Sequence, residues 1–300
     1  MASVLATPPA TPGVPPWEVL RDGDEANGLG LRPATVELRL RAVERAIEAI
    51  RDRFATPLTL DELARVGALS PYHFNRVFRL FTGVPPGRFL TAVRMEEAKR
   101  LLLTTPKRVT DICLEVGYTS LGTFTSHFKE LVGVGPVELR RLARASAGLG
   151  LADLSPLANG DGRGERSGVR VSIEAPDGFA GVAFAGLFTT PLPRARPAAC
   201  ALGIVPGVVA WSTSNVPDGR YFVLVAAFDG DGTVGHSLLA DPGTSRVGLA
   251  ARPVTVADGR CGEEPHVALR APQPTDPPVL LALPLVLLAD QQLAAAAAAV

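Results

Sequence analysis

Apolar residues recur every three or four positions between residues 37 and 145, the period of helices that bury one face. Val43, Ile47, Ile50 and Phe54 form the stripe of a first helix. Thr59-Leu60-Asp61-Glu62 has the form of a capping box, so a second helix is predicted from near Leu60, with Leu60, Leu63 and Val66 inward. It stops at Gly67, a residue free to take the left-handed conformation of a tight turn. Ser70 then caps a third helix with Pro71 in its first position, where a missing N–H costs nothing. In that helix Phe74, Val77, Phe78 and Phe81 point inward, while Tyr72, Asn75, Arg76 and Arg79 point out.

Pro85-Pro86-Gly87 closes this unit, and Phe89, Leu90, Val93, Ala98, Leu101 and Leu102 mark a connecting helix to about Thr104. Such a helix is about 27 Å long. Pro106 breaks it, and a second unit follows: Ile112, Leu114 and Val116, a turn at Gly117, then a helix from near Ser120. That helix buries Phe124, Phe128 and Leu131 and exposes Gly122, Thr125, Ser126 and Lys129. The second unit is the first one again, fifty positions later: Asp61/Asp111, Val66/Val116, Gly67/Gly117, Ser70/Ser120, Phe74/Phe124, Phe78/Phe128, Gly83/Gly133, Val84/Val134 and Pro86/Pro136 coincide without a gap. Two helix-turn-helix units joined by one helix imply two readers for successive major grooves, roughly 34 Å apart, and a non-palindromic site of two turns.

From Val169 the helical period gives way to short β-prone runs: VRVSI, GVAFAGLF, CALGIV, GVVAW, YFVLVAAF, RVGLA, PVTV and HVALR, separated by Asp-Gly and Pro-Gly turn signals. They predict an antiparallel sandwich or small barrel. The expected organisation is multi-domain α plus β. A disordered or loosely packed arm (1–33) precedes an all-α double helix-turn-helix domain (37–145). A linker (146–168), an all-β sandwich (169–289) and an Ala-rich tail (290–300) follow.

A net charge of zero conceals a split. Residues 37–145 hold 18 Lys/Arg against 12 Asp/Glu, and the remainder 12 against 18, so a polyanion partner is expected at one end only. Cys113, Cys200 and Cys261 form no ligand-spaced cluster, no metal or other cofactor is expected, and a reducing compartment fits. The start lacks a signal-peptide pattern, and the apolar run 279–289 is too short for a bilayer, so a cytoplasmic protein without a membrane partner is expected.

On the outward face of the third helix, Arg76 suits bidentate bonding to guanine, Asn75 to adenine, and Arg79 a phosphate. His73 reads as a helix-side hydrogen-bonding group. These segments, TLDELARVGALSPYHFNRVFRLFTGVPPGRF, VRMEEAKRLLL and DICLEVGYTSLGTFTSHFKELVGVGPVELR, resemble the DNA-binding domain of the AraC/XylS family of bacterial transcription regulators. The resemblance implies double-stranded DNA as partner, with Tyr72, Asn75 and Arg76 at first-helix contact positions and Gly122, Thr125 and Ser126 on the second contact surface. It leaves RNA polymerase, a small-molecule effector and homo-oligomerisation open as further partners.

Where that family commonly has a basic residue, this chain has Ser126, so base reading is expected mainly from the first unit. The second is expected to grip the backbone through Lys129, Ser120 and helix-end amides. His127 and Cys113 replace apolar and small residues and are expected to pack. The Pro-Asp-Gly-Arg-Tyr-Phe-Val-Leu-Val segment at 217–225 is similar to one hairpin of prealbumin-like or carboxypeptidase-regulatory-like sandwiches. Trp211, Tyr221, Phe222 and Phe228 are expected to fill the sandwich core, with the lining of a ligand cavity as the other role. His236 and His266 stand apart from any nucleophile pattern, and no enzyme is expected. The alternatives are a DNA-anchored scaffold whose β half recruits a protein, and an enzyme housed in 169–289.

Overall fold

The computed structural model describes residues 33–151, 153–154, 168–189, 197–212, 216–239, 243–250, 252–258, 260–262, 264–280, 282 and 284–285. The expected arm, apart from Pro33, the linker residues 155–167 and the Ala-rich tail lie outside them, as do the side chains of Trp211 and His236.

Seven helices build the first half: α1 (Pro33–Arg53), α2 (Leu60–Val66), α3 (Pro71–Thr82), α4 (Pro86–Thr104), α5 (Val109–Glu115), α6 (Leu121–Val132) and α7 (Pro136–Ala145). The capping box forms as expected: the Thr59 N–H donates to Glu62 Oε2 at 2.8 Å, and the Glu62 N–H to Thr59 Oγ1 at 3.3 Å. That backbone bond from Thr59 holds the Glu62 carboxyl below its usual range.

Four local expectations change. Leu60 is 41% exposed, because α2 begins there and turns Leu63 and Ala64 inward instead. Gly67 is right-handed (φ −74°), and Ala68 takes the left-handed position (φ 55°). Gly67 matters for closeness: a Cβ there would lie 3.1 Å from the Phe74 ring. Ser70 sits at the N-cap of α3 without a side-chain capping bond, Pro71 starting the helix alone. Leu114 is 66% exposed, and Ile112, Cys113 and Val116 fill the α5 core.

Two cores divide this half. One gathers Val43, Ile47, Ile50, Phe74, Phe78 and Phe89, with the Phe78 and Phe89 rings edge-on at 5.6 Å. The other holds Met95, Leu102, Ile112, Phe124, Phe128 and Leu139. An arginine closes each unit from the helix that follows it. Arg94 on α4 donates to the carbonyls of Phe54 (2.7 Å) and Thr56 (3.0 Å) beyond the end of α1. Arg140 on α7 donates to those of Leu102 (3.1 Å) and Thr105 (3.2 Å) at the end of α4. Guanidinium donors there satisfy carbonyls that a helix end leaves open and oppose its negative dipole end.

The second half is sheet-rich. β1 (Gly168–Glu174), β4 (Gly207–Ser212) and β9 (His266–Ala268) form a three-stranded sheet in the order β4-β1-β9. β3 (Ala199–Val205), β2 (Gly181–Phe188), β5 (Gly219–Asp229), β7 (Val254–Ala257) and β8 (Arg260–Cys261) follow one another in the larger sheet, with β6 (Ser245–Leu249) paired to β5. The eight β-prone runs each hold a strand, and the two-residue β8 is additional. Two details depart from a purely antiparallel, all-β half. β1 and β9 run parallel, and α8 (Val234–Ser237) is a single helical turn.

Strand β2 is buried on both faces, so it reads as a continuous apolar run instead of an alternating one. Ala183, Ala185 and Leu187 join Val171, Val209 and Val225 in a core shared by the two sheets. Val182, Phe184 and Phe188 point the other way and, with Leu202 and Phe228, enter the core of the second helical unit. Tyr221 is buried and donates to the Pro217 carbonyl at 2.9 Å, Phe222 is half-buried, and Phe228 faces the helices.

Two chain segments stitch the halves together. Leu151 and Leu154 are buried, and the Leu151 N–H donates to Gly232 at 2.8 Å. Beyond the last strand the chain returns to the helices: Leu280, Ala282 and Leu285 are buried, and the Ala282 N–H donates to Val132 at 3.1 Å. Lys99 of α4, fully buried, donates to the carbonyls of Val279 (3.0 Å) and Leu280 (3.3 Å). Burial lowers its pKa to about 8, against the charge of Glu96, which raises it.

Candidate nucleic-acid interface

Helix α3 keeps Phe74, Val77, Phe78 and Phe81 in the core and turns Tyr72, Asn75, Arg76 and Arg79 to solvent. Tyr72 is 84% exposed. Among the described residues, Asn75, Arg76 and Arg79 make no hydrogen bond or ion pair within the chain, which leaves their donors available. Helix α3 carries no acidic residue. His73 is half-buried, and burial first, then Arg39 and Arg76, push its pKa below the ordinary value. The ring is therefore neutral at pH 7, and the local positive charge belongs to the arginines. Arg39, on α1, is the member that sequence reasoning missed. Its only signal was a basic residue one turn before the first apolar stripe, with nothing to place it beside α3.

Helix α6 repeats this geometry with different chemistry. Gly122, Thr125, Ser126 and Lys129 are exposed, fifty positions after Tyr72, Asn75, Arg76 and Arg79. Ser120 caps the helix, its Oγ accepting from the Thr123 N–H (3.4 Å) and Thr123 Oγ1 (3.3 Å), so its own hydroxyl proton remains to be donated. A Cβ on Gly122 would meet only Ser120 Oγ, at 3.9 Å, so the backbone here is open to close approach. This surface offers one cation, Lys129, where α3 offers two.

Arg94 and Tyr118 join the two units. Arg94, bonded to the end of α1, also lies over the Tyr118 ring of the second unit, 5.7 Å from its centroid. The Tyr118 hydroxyl lies 3.1 Å from His127 Nδ1 on α6. Burial, opposed by Arg94, raises the Tyr118 pKa, so the phenol keeps its proton. Beside it Gly117 is left-handed (φ +83°), and a Cβ there would come within 2.5 Å of the Ala55 carbonyl oxygen. His127 and Cys113 do pack, as expected: Cys113 is buried, with its pKa raised by that burial, and His127 is half-buried against Tyr118.

Residues 63–142 match the family model described as a helix-turn-helix domain. The chain is 32% identical over 102 residues to the bifunctional transcriptional activator/DNA repair enzyme AdaA of Bacillus subtilis, a match covering 34% of this chain and 48% of AdaA. It is 33% identical over 87 residues to the transcriptional activator AarP of Providencia stuartii, covering 29% and 64% of the two chains. Among solved structures, a probable AraC family transcriptional regulator from Rhodopseudomonas palustris aligns with a TM-score of 0.33 and 28% identity, over 34% of this chain and 97% of that one. The chain thus spans about half the length of the curated relatives it matches. No helix among the described residues is long and apolar enough to cross a membrane.

Proposed function

We propose that this chain, whose residues 63–142 form an AraC-type helix-turn-helix region, is a sequence-specific DNA-binding transcription regulator. The observation that carries the reading is the pair of bare, equivalently placed outer faces on α3 and α6, held in fixed relation by Arg94 and Tyr118. Helix α3 supplies base reading: Arg76 to a guanine, Asn75 to an adenine, with Tyr72 packing alongside and Arg79 on a phosphate. Helix α6 grips the next turn through Lys129, the Ser120 hydroxyl and backbone opened by Gly122, with Thr125 and Ser126 toward the groove.

We read residues 37–145 as the DNA-binding domain and the two sheets of 169–289 as a β-sandwich that senses or assembles. The reading assigns no catalytic step to either half. Support for modulation comes from the shared core and from the Lys99 contact, which tie the sheets to the helix between the two readers.

The test is selection of bound duplexes from a random library with the full chain, followed by titration of the enriched sequence at several salt concentrations. Expected is one asymmetric site of two adjacent turns, with affinity that falls linearly with log salt. Enrichment of no sequence, at any salt, contradicts the proposal.

A further inference from the structure

A cleft of about 340 Å³ opens where the helical units and the returning segment meet. Arg88 and Ala92 of α4, His127, Glu130 and Leu131 of α6, and Leu280 of the returning segment line it. The cleft is thus walled by the linker helix, the second reader and the sheet-rich half together. Its size is that of a small-molecule site.

The chemistry of the lining is specific. Arg88 and Glu130 have opposite charge and share the cleft, yet among the described residues neither has an ion-pair partner. The Tyr118 hydroxyl faces His127 Nδ1 at 3.1 Å. That bond occupies Nδ1, and among the described residues Nε2 has no partner within the chain, so it remains for a ligand. A cation, an imidazole, a carboxylate and an apolar wall complement a molecule that is anionic at one point, cationic at another and apolar in its body. We propose that this cleft binds a small apolar zwitterion of the α-amino-acid type. Its carboxylate bonds to Arg88 and His127, its ammonium to Glu130, and its side chain packs on Ala92, Leu131 and Leu280.

The consequence rests on the regulator reading. An occupant bonded to His127 is connected through Tyr118 to Arg94, and through Arg94 to the end of α1. It also touches the segment that Lys99 holds. A ligand at this junction therefore contacts the linker helix, the second reader and the returning segment, and reaches the first unit through Tyr118 and Arg94; differential contacts of that kind shift an equilibrium between arrangements.

The experiment is calorimetric titration of the full chain, without DNA, with L-leucine, L-phenylalanine, 3-phenylpropionate and phenethylamine. Expected is saturable binding of at least one amino acid, with the compound lacking the ammonium and the one lacking the carboxylate each weaker by about tenfold or more. Glu130→Gln, on an exposed side chain, and Arg88→Gln each lower amino-acid affinity by about tenfold, while circular dichroism of the variants stays unchanged. Absence of saturable binding by both amino acids, or equal binding of 3-phenylpropionate, overturns the proposal. Parallel titration with the selected duplex separates the two readings. DNA binding without amino-acid binding removes the cleft alone, and amino-acid binding without DNA binding removes the regulator.

Discussion

Arg94 and Tyr118 meet guanidinium over ring, 5.7 Å apart, and this pair sets the first helix-turn-helix unit on the second. Arg94 is half-buried, with its pKa lowered by that burial, and its donors are taken by the Phe54 and Thr56 carbonyls. One side chain of the connecting helix therefore closes the end of α1 and lies over Tyr118 beside the turn of the second unit.

Arg94→Met keeps the stem and removes the guanidinium. It leaves two carbonyls without their donor and costs about 1–3 kcal/mol of folding stability. In titrations, affinity for a two-turn duplex is expected to fall toward that for a single half-site, with half-site affinity unchanged. An equal loss on both duplexes contradicts a positioning role.

Gly117→Ala and Gly67→Ala separate two reasons for a glycine. At Gly117 the conformation is left-handed and a Cβ would collide with the Ala55 carbonyl, so urea unfolding is expected to show a loss of about 2–5 kcal/mol. At Gly67 the backbone suits any residue and only the edge of the Phe74 ring must give, so about 1 kcal/mol is expected. A larger loss at Gly67 contradicts this ranking.

Arg76→Ala is expected to cost about 1–3 kcal/mol on the selected duplex and to relax one base position. Lys129→Ala is expected to weaken all sequences alike and to lower the salt slope by about one unit. Quantitative binding to a set of single-base variants at several salt concentrations distinguishes the two. A sequence-specific loss at Lys129 reverses the proposed division of labour.

Lys99 gives stability a pH signature. Its pKa in the folded chain is about 8, below the ordinary 10.5, so between those values the unfolded chain binds the proton and the folded chain does not. Stability therefore rises with pH across that window, by about 3 kcal/mol at most. Glu96, the charged neighbour that acts on Lys99, has its own pKa raised by burial. Urea unfolding of wild type and Lys99→Met from pH 7 to 10.5 is expected to show the rise in wild type alone. Parallel curves contradict the burial of a titrating lysine under the returning segment.

Helices α1 to α6 were legible because each carried its own signals, whereas α7 was not read as a helix of its own. The Thr59–Glu62 box, Pro71 at the start of α3, and the phenylalanines repeated fifty apart are local chemistry. The β-prone runs were equally local, and every one of them holds a strand. What escaped were relations between distant segments. Arg94 and Arg140 look like ordinary surface cations until α1 and α4 end beneath them. Nothing local to Lys99 signals burial, and its partners, the Val279 and Leu280 carbonyls, lie 180 and 181 residues away. Arg39 joins Arg76 around His73 through packing of α1 on α3, which no spacing encodes. Phe228 reads as sandwich core, yet it faces the helices with Phe184, because β2 is covered on both sides.

The most direct test is a hydroxyl-radical footprint of the full chain on its selected duplex. Two recognition helices fixed by Arg94 and Tyr118 require two protected patches on one face of the DNA, about 10 base pairs apart centre to centre. Protection confined to a single groove, or divided between opposite faces, contradicts insertion of both helices into successive major grooves.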